Sequence, residues 1–143
     1  MIITDANILL YAYNSDAREH DKAREYVEDR LSGVESFGLS WQVITAFLRI
    51  STHSRAFPNP LAPQQAVEIV DKGLVRPNVT ILLPTEKHWT IFSKLITDYQ
   101  IKAALVMDAH LAALAIEHDA TLATTDKDFA RFANLKTINP LDS

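Results

Sequence analysis

Short β-favouring runs separated by longer stretches of helical apolar spacing constrain this chain more than any other feature of it. Ile2-Ile3 opens the series. Val79-Thr80-Ile81-Leu82-Leu83 runs up to Pro84, and Thr121-Leu122-Ala123-Thr124 and Lys136-Thr137-Ile138 follow. Between them, residues 7–13 are compatible with a helix. Residues 20–31 put Ala23, Tyr26, Val27 and Leu31 on one helical face, and residues 41–50 do the same with Ile44, Phe47 and Leu48. A loop punctuated by Pro58 and Pro60 leads to Pro63, a residue suited to the first position of a further helix. Strands alternating with helices predict an α/β domain: a central, mostly parallel sheet flanked by helices in three layers. The continuous run 79–83 reads as a strand buried on both faces. Thr85 reads as the N-cap of a helix carrying Trp89, Phe92, Leu95 and Ile96, and residues 106–118 form the clearest helix of all.

At 143 residues, with 48% hydrophobic and 22% charged side chains, the chain fits one domain over 1–143 with a core and a hydrated surface. No apolar run approaches the ~20 residues that span a bilayer. Met1-Ile2-Ile3-Thr4-Asp5 lacks the basic-then-apolar pattern of a secretion signal. The expectation is a cytoplasmic protein with no membrane partner. The chain has no cysteine, which excludes disulfides, thiolate metal sites and cysteine nucleophiles. A metal would have to be held by carboxylate or imidazole, and carboxylates favour hard ions such as magnesium or manganese. The net charge of −4 runs against phosphate binding by cationic surface. Clustered carboxylates that bind divalent ions would soften that objection, and the bulk charge then says little either way.

In parallel α/β sheets, sites collect beyond the carboxyl ends of the strands. Asp5 directly follows the first apolar run, and Asp126 follows the run 121–124. If those strands are adjacent and parallel, the two carboxylates emerge at one edge. The ordinary alternative is that each caps a helix or closes a turn. Asp108 lies near the start of its helix and shares a face with Leu111, Ala112 and Ala115. An inward carboxylate there is costly to desolvate unless a cation meets it. The alternative is a favourable interaction with the helix N-terminus. Such a cluster suits phosphodiester hydrolysis, in which magnesium neutralises phosphate charge and acidifies a bound water.

Four blocks, in order, resemble the PIN-domain ribonucleases, and within them the VapC toxins of VapBC toxin–antitoxin systems. They are Asp5-Ala6-Asn7-Ile8-Leu9-Leu10-Tyr11-Ala12, Phe47-Leu48-Arg49-Ile50 with the proline-rich segment 57–61, Asp108-Ala109-His110-Leu111-Ala112-Ala113-Leu114-Ala115, and the segment 124–132 beginning Thr124-Thr125-Asp126-Lys127-Asp128. The resemblance implies a PIN fold, Mg2+- or Mn2+-dependent endonucleolytic RNA cleavage, a small VapB-like antitoxin as partner, and a homodimer. It implies catalytic and metal-binding roles for Asp5, Asp108 and Asp126, with Asp128 as a further metal-shell acid. Asn7 and Thr124 match positions that orient those acids or meet substrate. Many PIN enzymes carry a glutamate just before the Phe-Leu-Arg segment; here Ala46 stands there, and neither Glu19 nor Glu35 matches the motif.

The other readings follow from single residues. Ala46 leaves open a catalytically impaired PIN-like module that binds RNA or protein without cutting. An aspartate-nucleophile phosphatase also places Asp after its first strand, but commonly has a second Asp two residues later, where this chain has Asn7. Arg49 could hold RNA phosphate or a carboxylate, or form a structural ion pair. Lys102 and Lys127 flank the acids in sequence and are ordinary surface lysines unless they touch substrate. Trp41, Trp89, Phe47 and Phe92 fall at apolar helical positions, which suggests core or dimer interface. The histidines form no paired ligand motif, and His110, two residues from Asp108, points away from it.

Overall fold

A computed structural model describes residues 1–142 of the chain. Its strands are β1 (Ile2–Thr4), β2 (Phe37–Leu39), β3 (Val79–Ile81), β4 (Thr121–Ala123) and β5 (Lys136–Ile138). The helices are α1 (Ala6–Ala12), α2 (His20–Ser32), α3 (Trp41–Ser51), α4 (Pro63–Leu74), α5 (His88–Asp98) and α6 (Leu105–Glu117), with a 3-10 turn at Lys127–Arg131. All strand pairings are parallel, in the order β3-β2-β1-β4-β5.

The pleat divides each central strand between two helical layers, because successive side chains point to opposite faces. Ile3 and Leu122 pack with Leu111, Leu114, Phe129 and Phe132 on the α6 side. Ile2 and Ala123 pack with Ile8, Ala23 and Val27 on the α1–α2 side. Phe37, Leu39 and Ile44 extend that second layer toward Val70 and Leu74 of α4. The result is helices, sheet, helices: the three-layer α/β arrangement read from the sequence, with a fully parallel sheet. The run of small residues in α6 (Ala109, Ala112, Ala113, Ala115), all buried, lets that helix lie close over the sheet.

Three expectations are corrected. The run 79–83 is an edge strand rather than one buried on both faces: it pairs only with β2, Thr80 is exposed and Val79 and Ile81 are half-buried. Thr85 does not cap α5, which begins at His88; its hydroxyl instead accepts from the Lys87 N–H, closing the preceding turn. Of the core-or-interface expectation, the core half fails for Trp41 and Trp89, which stand 54% and 69% exposed in the single chain, and holds for Phe47, which is buried, and for Phe92, which packs against the α6-side cluster. Strand β2 was not foreseen.

Candidate active site

The site is built where β1 and β4 end side by side. Their register pairs Thr4 with Ala123, and the Asp5 N–H continues the ladder to the Ala123 carbonyl at 2.9 Å. Asp5 and Thr124 therefore leave the sheet together. The Thr124 hydroxyl, buried, donates to Asp5 Oδ2 at 2.8 Å and accepts from the Asp126 N–H at 3.0 Å. One side chain thus fixes both acids. Asp5 also caps α1, its Oδ1 accepting from the Ala6 N–H at 2.7 Å. Asp126 caps the 3-10 turn through the Asp128 N–H at 2.9 Å. Capping and site-building are one arrangement here, since a carboxylate offers about four acceptor positions and each cap uses one.

Asp108 comes from the first turn of α6, close enough to the β1–β4 edge to feel the charges of its acids. Burial first, then the charges of Asp126, Asp5 and Asp128, push its carboxyl up to about 6; Arg131 opposes them. The helix N-terminus would favour its ionised form. Asp5 is also raised, chiefly by burial and slightly by Asp126, against the two hydrogen bonds from Thr124 and Ala6. Asp108 has no hydrogen-bond donor among the described residues. Among the described residues no group of three acids or histidines is placed to hold a metal ion. In its chemistry the donor set is all oxygen, its lone pairs only partly used and its charges mutually repulsive, which suits a hard divalent cation.

A comparison with known proteins decides the lineage. The PIN domain family matches residues 2–135. The chain belongs to the PIN-domain family. It is 39% identical over 142 residues to the VapC ribonuclease Mb2897 of Mycobacterium bovis, covering 99% of this chain and 97% of that protein. Two solved structures share the fold. VapBC2 from Rickettsia felis, bound to a DNA fragment from its promoter, has a TM-score of 0.67 at 22% identity, covering 97% and 98% of the two chains. A toxin–antitoxin complex from Klebsiella pneumoniae has a TM-score of 0.64 at 19% identity, covering 98% of each.

In this PIN domain, Ala46 lies on α3 in an open cleft beside α6, lined also by Trp41, Gln42, Thr45, Arg49 and Met107. No acid lines that cleft, so nothing there substitutes for the family glutamate. Arg49 is exposed, and among the described residues its guanidinium has no ion pair or hydrogen bond. Asn7 makes no hydrogen bond to the acids, and its Oδ1 is buried without a partner among the described residues. Asp128 is exposed and 3.8 Å from Arg131. Lys102 and Lys127 are exposed. His110 turns to α5, where its Nδ1 meets His88 Nε2 at 2.9 Å. Two contacts escaped the sequence reading: the Gln42 amide N–H donating to the Met107 carbonyl at 3.1 Å, and the chain of groups from His110 through His88 to Glu117. Both join residues far apart in sequence, and no spacing rule signals them.

Proposed function

We propose that this PIN domain is an endoribonuclease that hydrolyses RNA phosphodiester bonds with Mg2+ or Mn2+ bound to its carboxylates, and that it is the toxin of a toxin–antitoxin pair. The observation that carries the reading is the unneutralised carboxylate set at the β1–β4 edge, where Asp108 is pushed up to about 6 by burial and by its acidic neighbours. Asp5, Asp108 and Asp126 would hold the ion, with Asp128 at the margin of its water shell. When bound, the ion supplies charge neutralisation for the phosphate and a lowered pKa for water. By donating to Asp5, Thr124 aims it and favours its charged form against the burial that raises its carboxyl, and it holds the Asp126 backbone in place. Arg49 offers an unpaired guanidinium to a substrate phosphate.

The relative's name, VapC ribonuclease, supports the RNA substrate. The likeness to a toxin–antitoxin complex supports a small antitoxin partner, and a homodimer belongs to the same family expectation. A cytoplasmic location is proposed with them; among the described residues no helix is long and apolar enough to cross a membrane. The test is incubation of purified protein with labelled RNA, with Mn2+ and then with chelator. Products that appear only without chelator, and vanish in Asp5→Asn and Asp108→Asn, are expected. The second reading, an inert RNA-binding module, is favoured by Ala46 and its acid-free cleft. Retention of RNA without any product under Mn2+ would select it.

A further inference from the structure

The cleft beside the acids is chemically unlike them. On α3, residues 41, 42, 45, 46 and 49 share one helical face, and α6 closes the opposite wall with Met107, the residue before Asp108. A cleft of about 390 Å3 lies between, toward the lower end of small-ligand sites, about 300–1,000 Å3. Trp41 and Met107 are 54% and 53% exposed, a large aromatic and a thioether left in water side by side. Gln42 ties the two walls by its bond to the Met107 carbonyl, and its Oε1 has no partner among the described residues. Arg49, one helical turn past Thr45, brings a cation that no described residue neutralises. A glutamate at 46 would place a carboxylate among them; alanine leaves the wall apolar.

We propose that this cleft is a nucleobase subsite: Trp41 stacks on an unpaired base of single-stranded RNA, Met107 flanks it, and Arg49 holds an adjoining phosphate. The inference rests on the ribonuclease reading for its substrate, but not on cleavage. An aromatic face with a neighbouring guanidinium is the usual equipment for holding unstacked bases, whose π-faces are open to contact only outside a duplex. A second copy of the chain is the rival occupant, because protein interfaces are also enriched in Trp, Met and Arg. The match of the guanidinium to phosphate and the position of Met107 next to Asp108 select RNA. Continuity with Asp108 gives the base a defined purpose, because a base gripped next to the acids sets which linkage lies over them.

The chain has two tryptophans, so Trp89→Phe leaves Trp41 as the sole reporter. In chelator, a single-stranded RNA oligonucleotide should quench its emission saturably, and a base-free ribose-phosphate chain of equal length should not. In cleavage assays, Trp41→Ala should raise KM about 5- to 100-fold with kcat little changed, as expected for one stacked base. Trp41→Phe should recover most of that loss. Arg49→Ala should weaken binding and lower the salt dependence by about one phosphate contact. Quenching without any cleavage would keep the subsite and sink the ribonuclease reading. Normal cleavage with an unquenched Trp41 and an unchanged KM in Trp41→Ala would overturn the subsite and leave the enzyme. Emission that depends on protein concentration but not on RNA would assign the face to a second copy, and also overturn it.

Discussion

Helix α6 carries a carboxylate near each end, and the two are treated in opposite ways. Glu117, at the C-terminal end, has a side chain with 0% exposure. Both its oxygens are occupied: Oε1 accepts from the Thr85 N–H at 2.8 Å and Oε2 meets His88 Nδ1 at 2.6 Å. His88 passes the chain on to His110, whose imidazole is lowered by burial first and by His88 next, against the pull of Glu117. Asp108, at the N-terminal end, is less buried yet less satisfied; it faces three other acids and finds no donor among the described residues. Burial of an acid therefore does not mark a site by itself. What separates a structural carboxylate from a site carboxylate is whether the protein supplies the compensating charge or leaves it to something that binds.

The largest effects should fall on opposite properties at the two ends. Asp108→Asn should reduce RNA cleavage by about a thousand-fold, through loss of charge stabilisation at the phosphate, while thermal stability in chelator holds or rises. Glu117→Ala should do the reverse. It should lower folding stability by about 2–3 kcal/mol, since Thr85 N–H and His88 lose a buried charged acceptor, yet leave cleavage per folded molecule near normal. Denaturant melts and cleavage rates on both variants check this, and an exchange of the two phenotypes would break the comparison.

A smaller effect is expected at Thr124→Val, which keeps the shape and removes the hydroxyl that holds Asp5 and Asp126. Cation affinity, read by Mn2+ titration, should fall about 10-fold, at the lower end of losses for groups that orient metal ligands. The smallest effect is the pH dependence of stability in chelator. Asp108 binds its proton more tightly folded, at about 6, than its ordinary 3.8. Its contribution is therefore fully present below about 3.8 and is lost as pH rises through about 6. The difference in denaturation midpoint between the wild type and Asp108→Asn should drift against the wild type across that window and level off above it. A flat difference would remove the repulsion on which the contrast stands.

The elements with long apolar periodicity were legible: α2, α3 and α6 lie within one or two residues of the expected bounds, and Pro63 begins α4 as its fixed φ suits. Strand β2 was not legible. Phe37-Gly38-Leu39 is too short to show a period, and its central residue is the one with least strand preference. The glycine has a packing reason: a Cβ at 38 would come within 3.0 Å of Leu82 Cδ1. The edge position of β3 could not be read from its own apolar run, because strand order is decided by pairing partners elsewhere in the chain. The tryptophans show a related limit. Periodicity put Trp41 and Trp89 on apolar faces, but whether a face is covered depends on a neighbour that spacing does not reveal. At the acid edge, adjacency of Asp5 and Asp126 followed from strand parallelism, which β1 and β4 satisfy. Glu117 was hidden because its partners lie 29 and 32 positions away.

Calorimetric titration of metal-free protein with Mn2+ tests the central claim most directly. The wild type and Glu117→Gln should take up the ion with similar affinity, and Asp5→Asn and Asp108→Asn should not. Equal uptake by all four proteins, or none by the wild type, would contradict the assignment of these acids to a cation.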